Sequence, residues 1–159
     1  MISDQNIIAI GNAIVAWNDR GVLVSVAAKT DKPVPAMYEN EQICHDFYNE
    51  IKLGATRQEL HDKYLIRYAR EYTGCTDAVA KVEIKIVEAL SYAWSSKALQ
   101  LGVDAHRHRE NRFPNEPICV DYYNDIAAGK PASSIGDAYL CRFVKENINN
   151  DDLIDRYYI

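Results

Sequence analysis

Two stretches decide how the chain is read: NEQICHDFYNEIKLG, Asn40 to Gly54, and NEPICVDYYNDIAAG, Asn115 to Gly129. They are nearly the same phrase. Extended without a gap, Asn40–Glu71 aligns with Asn115–Glu146 at a constant shift of 75, and fourteen of the thirty-two positions are identical. Chance at ordinary composition supplies about two. Internal similarity over this length points to a copied structural unit, and two copies are too few for a solenoid. The expected outcome is a pair of modules about a pseudo-two-fold axis, sharing one core.

The spacing says what each copy builds. Ile43, Cys44, Phe47, Tyr48 and Ile51 recur at three and four residues, a helical period. Gly54 and Gly129 stand where that pattern stops, as a left-handed C-terminal cap requires. Thr56 with Glu59 has capping-box spacing for a second helix, and Pro131 stands at the matching start. Leu60, Tyr64, Arg67, Tyr68 and Glu71 continue it.

A long helix precedes each hairpin. One carries the stripe Ile7, Ile10, Ile14 and Trp17 and is expected to end at Gly21; the other carries Val79, Val82, Ile86, Leu90 and Trp94. The fold expected is all-α, a tandem duplication of a three-helix unit (long helix, arm, helical hairpin), with repeats at residues 2–75 and 76–159. GVLVSVAA, Gly21 to Ala28, has strand-like composition, so a minor β segment near 22–28 is the most sheet this reading allows. Asn149–Ile159 is read as a terminal helix docked by Leu153, Ile154, Tyr157 and Tyr158.

The totals narrow the function. The net charge is −5 and the pI about 5.3. The acidity is spread over both halves: 8 basic and 11 acidic residues through Asp77, then 10 and 12. No basic field favours a phosphate backbone. No charged leader with an apolar run opens the sequence, and no unbroken apolar run of membrane-spanning length occurs. Cys44, Cys75, Cys119 and Cys141 form no C-x-x-C pair and are read as reduced, buried thiols of a cytoplasmic protein.

Three constellations are candidate sites. In GATRQELHDKYLIRYAREY the opening T-x-x-E-L suits a helix-turn-helix, but no Gly, Pro or Asn breaks Lys63–Arg67, so one continuous helix is expected. In DAHRHRENR, Asp104, His106 and His108 alternate and would share a metal if the segment were extended. The interleaved arginines suit an anion better. The third set is Asp46/Arg67 and Asp121/Arg142, expected to cross-link the hairpin helices, with Tyr64 and Tyr139 bonding nearby backbone. No nucleotide-loop, nucleophile-elbow or zincin motif is present, so neither an enzyme nor a cofactor is indicated.

Divergence between the copies is the most informative feature. The first hairpin has Lys52, Leu53, Arg57, Gln58, Glu59, His61 and Lys63 where the second has Ala127, Ala128, Ala132, Ser133, Ser134, Gly136 and Ala138. Small side chains admit a second backbone at low entropic cost. Ala128, Ala132, Ser134, Gly136 and Ala138 are therefore the candidate partner-binding residues. The leading expectation is a non-catalytic binding or regulatory protein acting through protein–protein contact, with a homodimer as one form of it. An inhibitor of nucleic-acid-handling machinery is an extension of that reading. Eleven tyrosines, with Trp and Arg, supply the residue types that dominate interface hot spots. The alternative is a nucleic-acid-binding regulator using Arg57, His61, Arg107, Arg109 and Arg112. A metal-dependent enzyme on Asp104, His106 and His108 is the second alternative.

Overall fold

A computed structural model describes residues 2–75 and 79–157. Within them the chain is all-helical, with seven α-helices and no strand: α1 (Asp4–Lys29), α2 (Gln42–Lys52), α3 (Arg57–Tyr72), α4 (Lys81–His106), α5 (Pro117–Ala127), α6 (Ala132–Asn147) and α7 (Asp151–Tyr157). A single 3-10 turn, Ala36–Tyr38, lies in the first arm. The terminal helix expected after Asn149 is present as α7, with Ile154 buried; Tyr158 lies outside the described residues.

Two compact units result. The first comprises Ala9–Lys81; the second comprises Met1–Ile8 with Val82–Ile159. The boundary drawn from the sequence alone, at residue 75/76, assigned all of α1 to one side. The first turn of α1 groups with the second unit.

In the first unit, α1 does not stop at Gly21 but runs on to Lys29, so the stretch expected as a minor β segment is helix. The reason is burial. Val24, Ala27 and Ala28 are buried at helical spacing, and that packing outweighs the strand preference of their β-branched neighbours. Gly21 is interior to the helix and lies under the Arg57 side chain; a Cβ there would meet Arg57 Nε at 3.6 Å. α1 is the one helix among the described residues long and apolar enough to cross a bilayer, yet its buried positions include Ile7, Ile10, Ile14 and Trp17, as for a core helix.

Trp17 is the hub of this unit. It meets Phe47 edge-on at 5.2 Å and stacks on Tyr64 at 5.7 Å, with Tyr68 at 5.8 Å. Each such pair adds about 0.5–1.5 kcal/mol beyond the area it buries. Arg67 on α3 reaches Asp46 on α2 at 2.8 Å and Glu71 at 3.2 Å, the cross-link expected between the hairpin helices. Tyr64 does not bond backbone as expected; its hydroxyl donates to the Glu50 carboxylate. That bond holds the Glu50 carboxyl below its ordinary range; burial, reinforced by the same bond, pushes the Tyr64 phenol up.

The second unit has the same contacts among its own residues. Trp94 meets Tyr122 edge-on at 5.2 Å, stacks on Tyr139 at 6.0 Å and has Phe143 at 5.4 Å. Arg142 bonds Asp121 at 2.7 Å and Glu146 at 3.0 Å, and Tyr139 donates to Asp125 at 2.6 Å. The stripe read on α4 needs correction. Val82 is exposed, whereas Ile84, Val87, Leu90 and Leu101 are buried. So many faces of α4 are covered that no single stripe is visible in its sequence. Among the covered residues is an ion pair, Lys85 with Glu88 at 2.5 Å, both buried.

Helix ends follow the local signals. Gly54 and Gly129 have φ of +105° and +95°. Ala55 N–H bonds the Glu50 carbonyl at 3.1 Å and Lys130 N–H bonds the Asp125 carbonyl at 3.1 Å, the Schellman pattern. Thr56 Oγ1 accepts from the Glu59 amide at 3.2 Å; Pro131 at the start of α6 offers no side-chain cap.

Thr56→Ala should lower the unfolding free energy by about 1 kcal/mol in a urea titration, because it removes the cap of α3. Glu88→Ala should lower the unfolding free energy in the same titration, because it removes a carboxylate that lies 2.5 Å from the buried Lys85 ammonium. Lys85→Met combined with Glu88→Leu should cost far less, since it removes both charges and keeps the volume.

Candidate binding surface

Three local arrangements in the second unit converge on one surface. The first is the end of α4. His106 is its last residue, and Arg109 N–H bonds the Asp104 carbonyl at 2.8 Å, closing the helix with His108 in the left-handed region at φ 54°. The first unit ends α1 the same way, with Asp31 at φ 54° and Lys32 N–H on the Ala27 carbonyl at 2.9 Å. His108 is thus a helix-capping residue, one of the few non-glycine types that tolerate this conformation.

The segment that a shared metal would need extended is helical through His106. Asp104 and His106 are two residues apart on a helix, which puts them on divergent faces rather than side by side. Asp104 is 2% exposed and accepts from Arg112 twice, Nε and Nη2 each at 2.8 Å. Arg112 is therefore a structural clamp that fastens the arm to α4. The guanidinium holds the Asp104 carboxyl below the usual carboxylate range, against the opposing effect of burial. Arg107 and Arg109 are exposed.

The second arrangement is the start of α6. Ala128, Ala132, Ser134 and Ala138 are all exposed and Gly136 is half-buried. Ser134 Oγ donates to the Pro131 carbonyl at 2.8 Å, so its hydroxyl is turned inward on the first turn. A Cβ built on Gly136 would meet nothing within 4 Å. No neighbour among the described residues requires the small residue there. At its far end the face runs into a groove of about 560 Å³, where Ala138, Cys141 and Arg142 stand opposite Asp4 and Ile8 of the first turn of α1. Lys145 pairs with Asp4 there, and Cys141 Sγ lies 3.8 Å from the Asp4 carbonyl oxygen.

The third arrangement is a cleft of about 370 Å³ lined by Ala98, Leu99, Gly102, Val103 and Tyr122 together with Ala132, His106 and Arg107. Leu99 is 70% exposed and Val103 37%. The corresponding place in the first unit shows why the cleft is open. There the residue matching Ala132 is Arg57, and its guanidinium lies over Gly21. Replacing an arginine by an alanine removes the side chain that would fill the space.

The residues weighed as an anion or nucleic-acid set divide between the two units. Arg57 (exposed, against Gly21) and His61 (half-buried) belong to the first, and Arg107, Arg109 and Arg112 to the second. The segment GATRQELHDKYLIRYAREY forms the continuous helix expected of it, unbroken from Arg57 to Tyr72. Cys44 and Cys119 are fully buried, and burial pushes each thiol up to about 11, which suits packing rather than nucleophilic work. All four cysteines are free and buried. Leu99, Val103 and Tyr122 escaped the sequence reading. The signal was present: the hairpins align at a shift of 75 but Trp17 and Trp94 at 77, and only both registers together set Ala132 beside Leu99.

The Asp104–Arg112 clamp contributes in full above the ordinary aspartate value of about 3.9 and is lost as pH falls through the lower folded value. Arg112→Gln should therefore lower the thermal midpoint at neutral pH, and its deficit relative to the wild type should narrow as pH drops below about 4. Compared with known proteins, the chain matches no family model, and no curated protein or solved structure is significantly similar to it.

Proposed function

We infer that this chain is a non-catalytic binding protein that acts through protein–protein contact, and that the contact is made by the second unit around Ala132. The observation that carries the reading is the cleft itself: Leu99 and Val103 are exposed among its apolar lining, and no described residue of the unit fills it. Apolar surface left open beside a wall of small residues is the surface a partner gains most by covering. The small, exposed residues Ala127, Ala128, Ala132, Ser134 and Ala138 let that partner approach closely.

The same inference includes the origin of the chain. A tandem duplication of a three-helix unit, with a pseudo-two-fold relation between the copies, accounts for two sets of equivalent contacts around Trp17 and Trp94. After copying, one hairpin kept its charged exterior and the other was reduced to small residues. On this reading the first copy serves stability and the second recognition. Four buried free thiols suit a reducing, cytoplasmic setting.

The reading is tested by Ala132→Arg and Leu99→Glu, made separately. Both positions are exposed, so helical content by circular dichroism should be unchanged. Sedimentation velocity reports self-association, and tagged protein captured from the native host, analysed by mass spectrometry, reports a heterologous partner. Loss of the same assembly in both variants is the expected result. If both variants, together with Ala138→Arg, fold and assemble as the wild type does, the surface is not a contact site.

A further inference from the structure

The grooves beside α3 and α6 are built from matching positions but carry opposite charge, and we propose that the one in the first unit binds a phosphate monoester. It has a volume of about 520 Å³ and is lined by Lys63, Ile66, Arg67, Arg70 and Glu71 of α3 and by Lys81, the first residue of α4. Four cations and one carboxylate face it. The second unit's groove has two cations, Arg142 and Lys145, against three carboxylates, Asp4, Asp137 and Glu146.

The difference is sharpest at one pair. In the second unit Lys145 is neutralised by Asp4, the first residue of α1. In the first unit the same two places are Arg70 and Lys81, so a second cation replaces the acid. The other cations of this groove already have partners: Lys63 lies 3.2 Å from Glu50, and Arg67 bonds Asp46 and Glu71. Arg70 donates to the Val79 carbonyl at 3.2 Å, a neutral acceptor, and its Nε is buried with no hydrogen-bond partner among the described residues. No carboxylate among the described residues pairs with Arg70 or Lys81.

Two cations lining one groove, neither paired with a carboxylate among the described residues, repel each other and favour an anion between them. The charge count selects the anion. A phosphate monoester carries about −1.5 to −2 at neutral pH, matching two cations, whereas a carboxylate carries only one charge. A guanidinium beside an ammonium is also the donor set suited to phosphoryl oxygens. The volume exceeds that of a bare phosphate, and Ile66 with the lysine stems offers apolar contact to an organic group on the ester oxygen. This site is on the first unit and does not depend on the protein-contact reading of the second.

The test is titration of the whole protein with phenyl phosphate, inorganic phosphate and sodium chloride at matched ionic strength, followed by amide chemical shifts. Saturable shifts at Arg70 and Lys81 with phenyl phosphate, weaker ones with inorganic phosphate and none with chloride are expected. Lys81→Asp, which installs the acid found in the second unit, should weaken binding by at least about tenfold, and so should Arg70→Gln. Asp4→Lys should create a second saturable site near Lys145. Ala132→Arg should leave phosphate binding unchanged. No saturable shift in the wild type, or undiminished binding by both Lys81→Asp and Arg70→Gln, would overturn the site. Equal affinity for the two phosphates would overturn the assignment to a monoester.

Discussion

An indole presents a large flat surface on a rigid frame, so a single tryptophan buried on a helix can set the position of several neighbours at once. Trp17 does this in the first unit and Trp94 in the second. Each is edge-on to an aromatic of the following helix and stacked on a tyrosine of the next. The stacked tyrosine then hands its hydroxyl to a carboxylate of the preceding helix, Tyr64 to Glu50 and Tyr139 to Asp125. The apolar hub and the polar rim of each hairpin are thereby one connected structure. A buried phenol needs an acceptor, and a carboxylate placed one helix away gives it one while keeping its own charge at the edge of the core.

The arms follow from the same economy. Each leaves its long helix through a left-handed residue and is fastened by a tyrosine hydroxyl to a capping carbonyl: Tyr48 to Lys32 at 2.6 Å and Tyr123 to Arg109 at 2.5 Å. Each is closed by a cation that also covers an aromatic face. Arg20 bonds Glu41 at 2.7 Å and lies over Tyr38, and Lys97 bonds Glu116 at 2.9 Å and lies over Phe113. With the scaffold held this way, residues outside it are free to change. The two proposals rest on changes of that kind: Arg57 against Ala132, which opens an apolar cleft, and Asp4 against Lys81, which reverses the charge of a groove.

Much of the helical plan was legible from spacing. The hairpins, their glycine caps, the capping threonine and the carboxylate–arginine cross-links all depend on contacts within a turn or between adjacent helices, where sequence distance and spatial distance go together. The misreadings have a common cause. Gly21 and the valines after it carry the local signature of a helix end and a strand, but α1 continues because Val24, Ala27 and Ala28 are buried. Asp104, His106 and His108 resemble a metal set only while the backbone is taken as extended. The candidate face at Ala128–Ala138 was visible as a contrast between the two similar stretches of sequence, yet the α4 residues beside Ala132 were not.

The sequence by itself determined the helical class, the two equivalent hairpins and the place where they diverge, because period, capping chemistry and repeat register are local or self-referential properties of the chain. Only the tertiary structure decided which long-helix residues stay exposed, that Arg112 is committed to Asp104, and that Arg70 and Lys81 line one groove without a carboxylate partner among the described residues. Those facts depend on which side chains meet across elements far apart in sequence, and burial and charge balance are set by those meetings rather than by any residue's own preference.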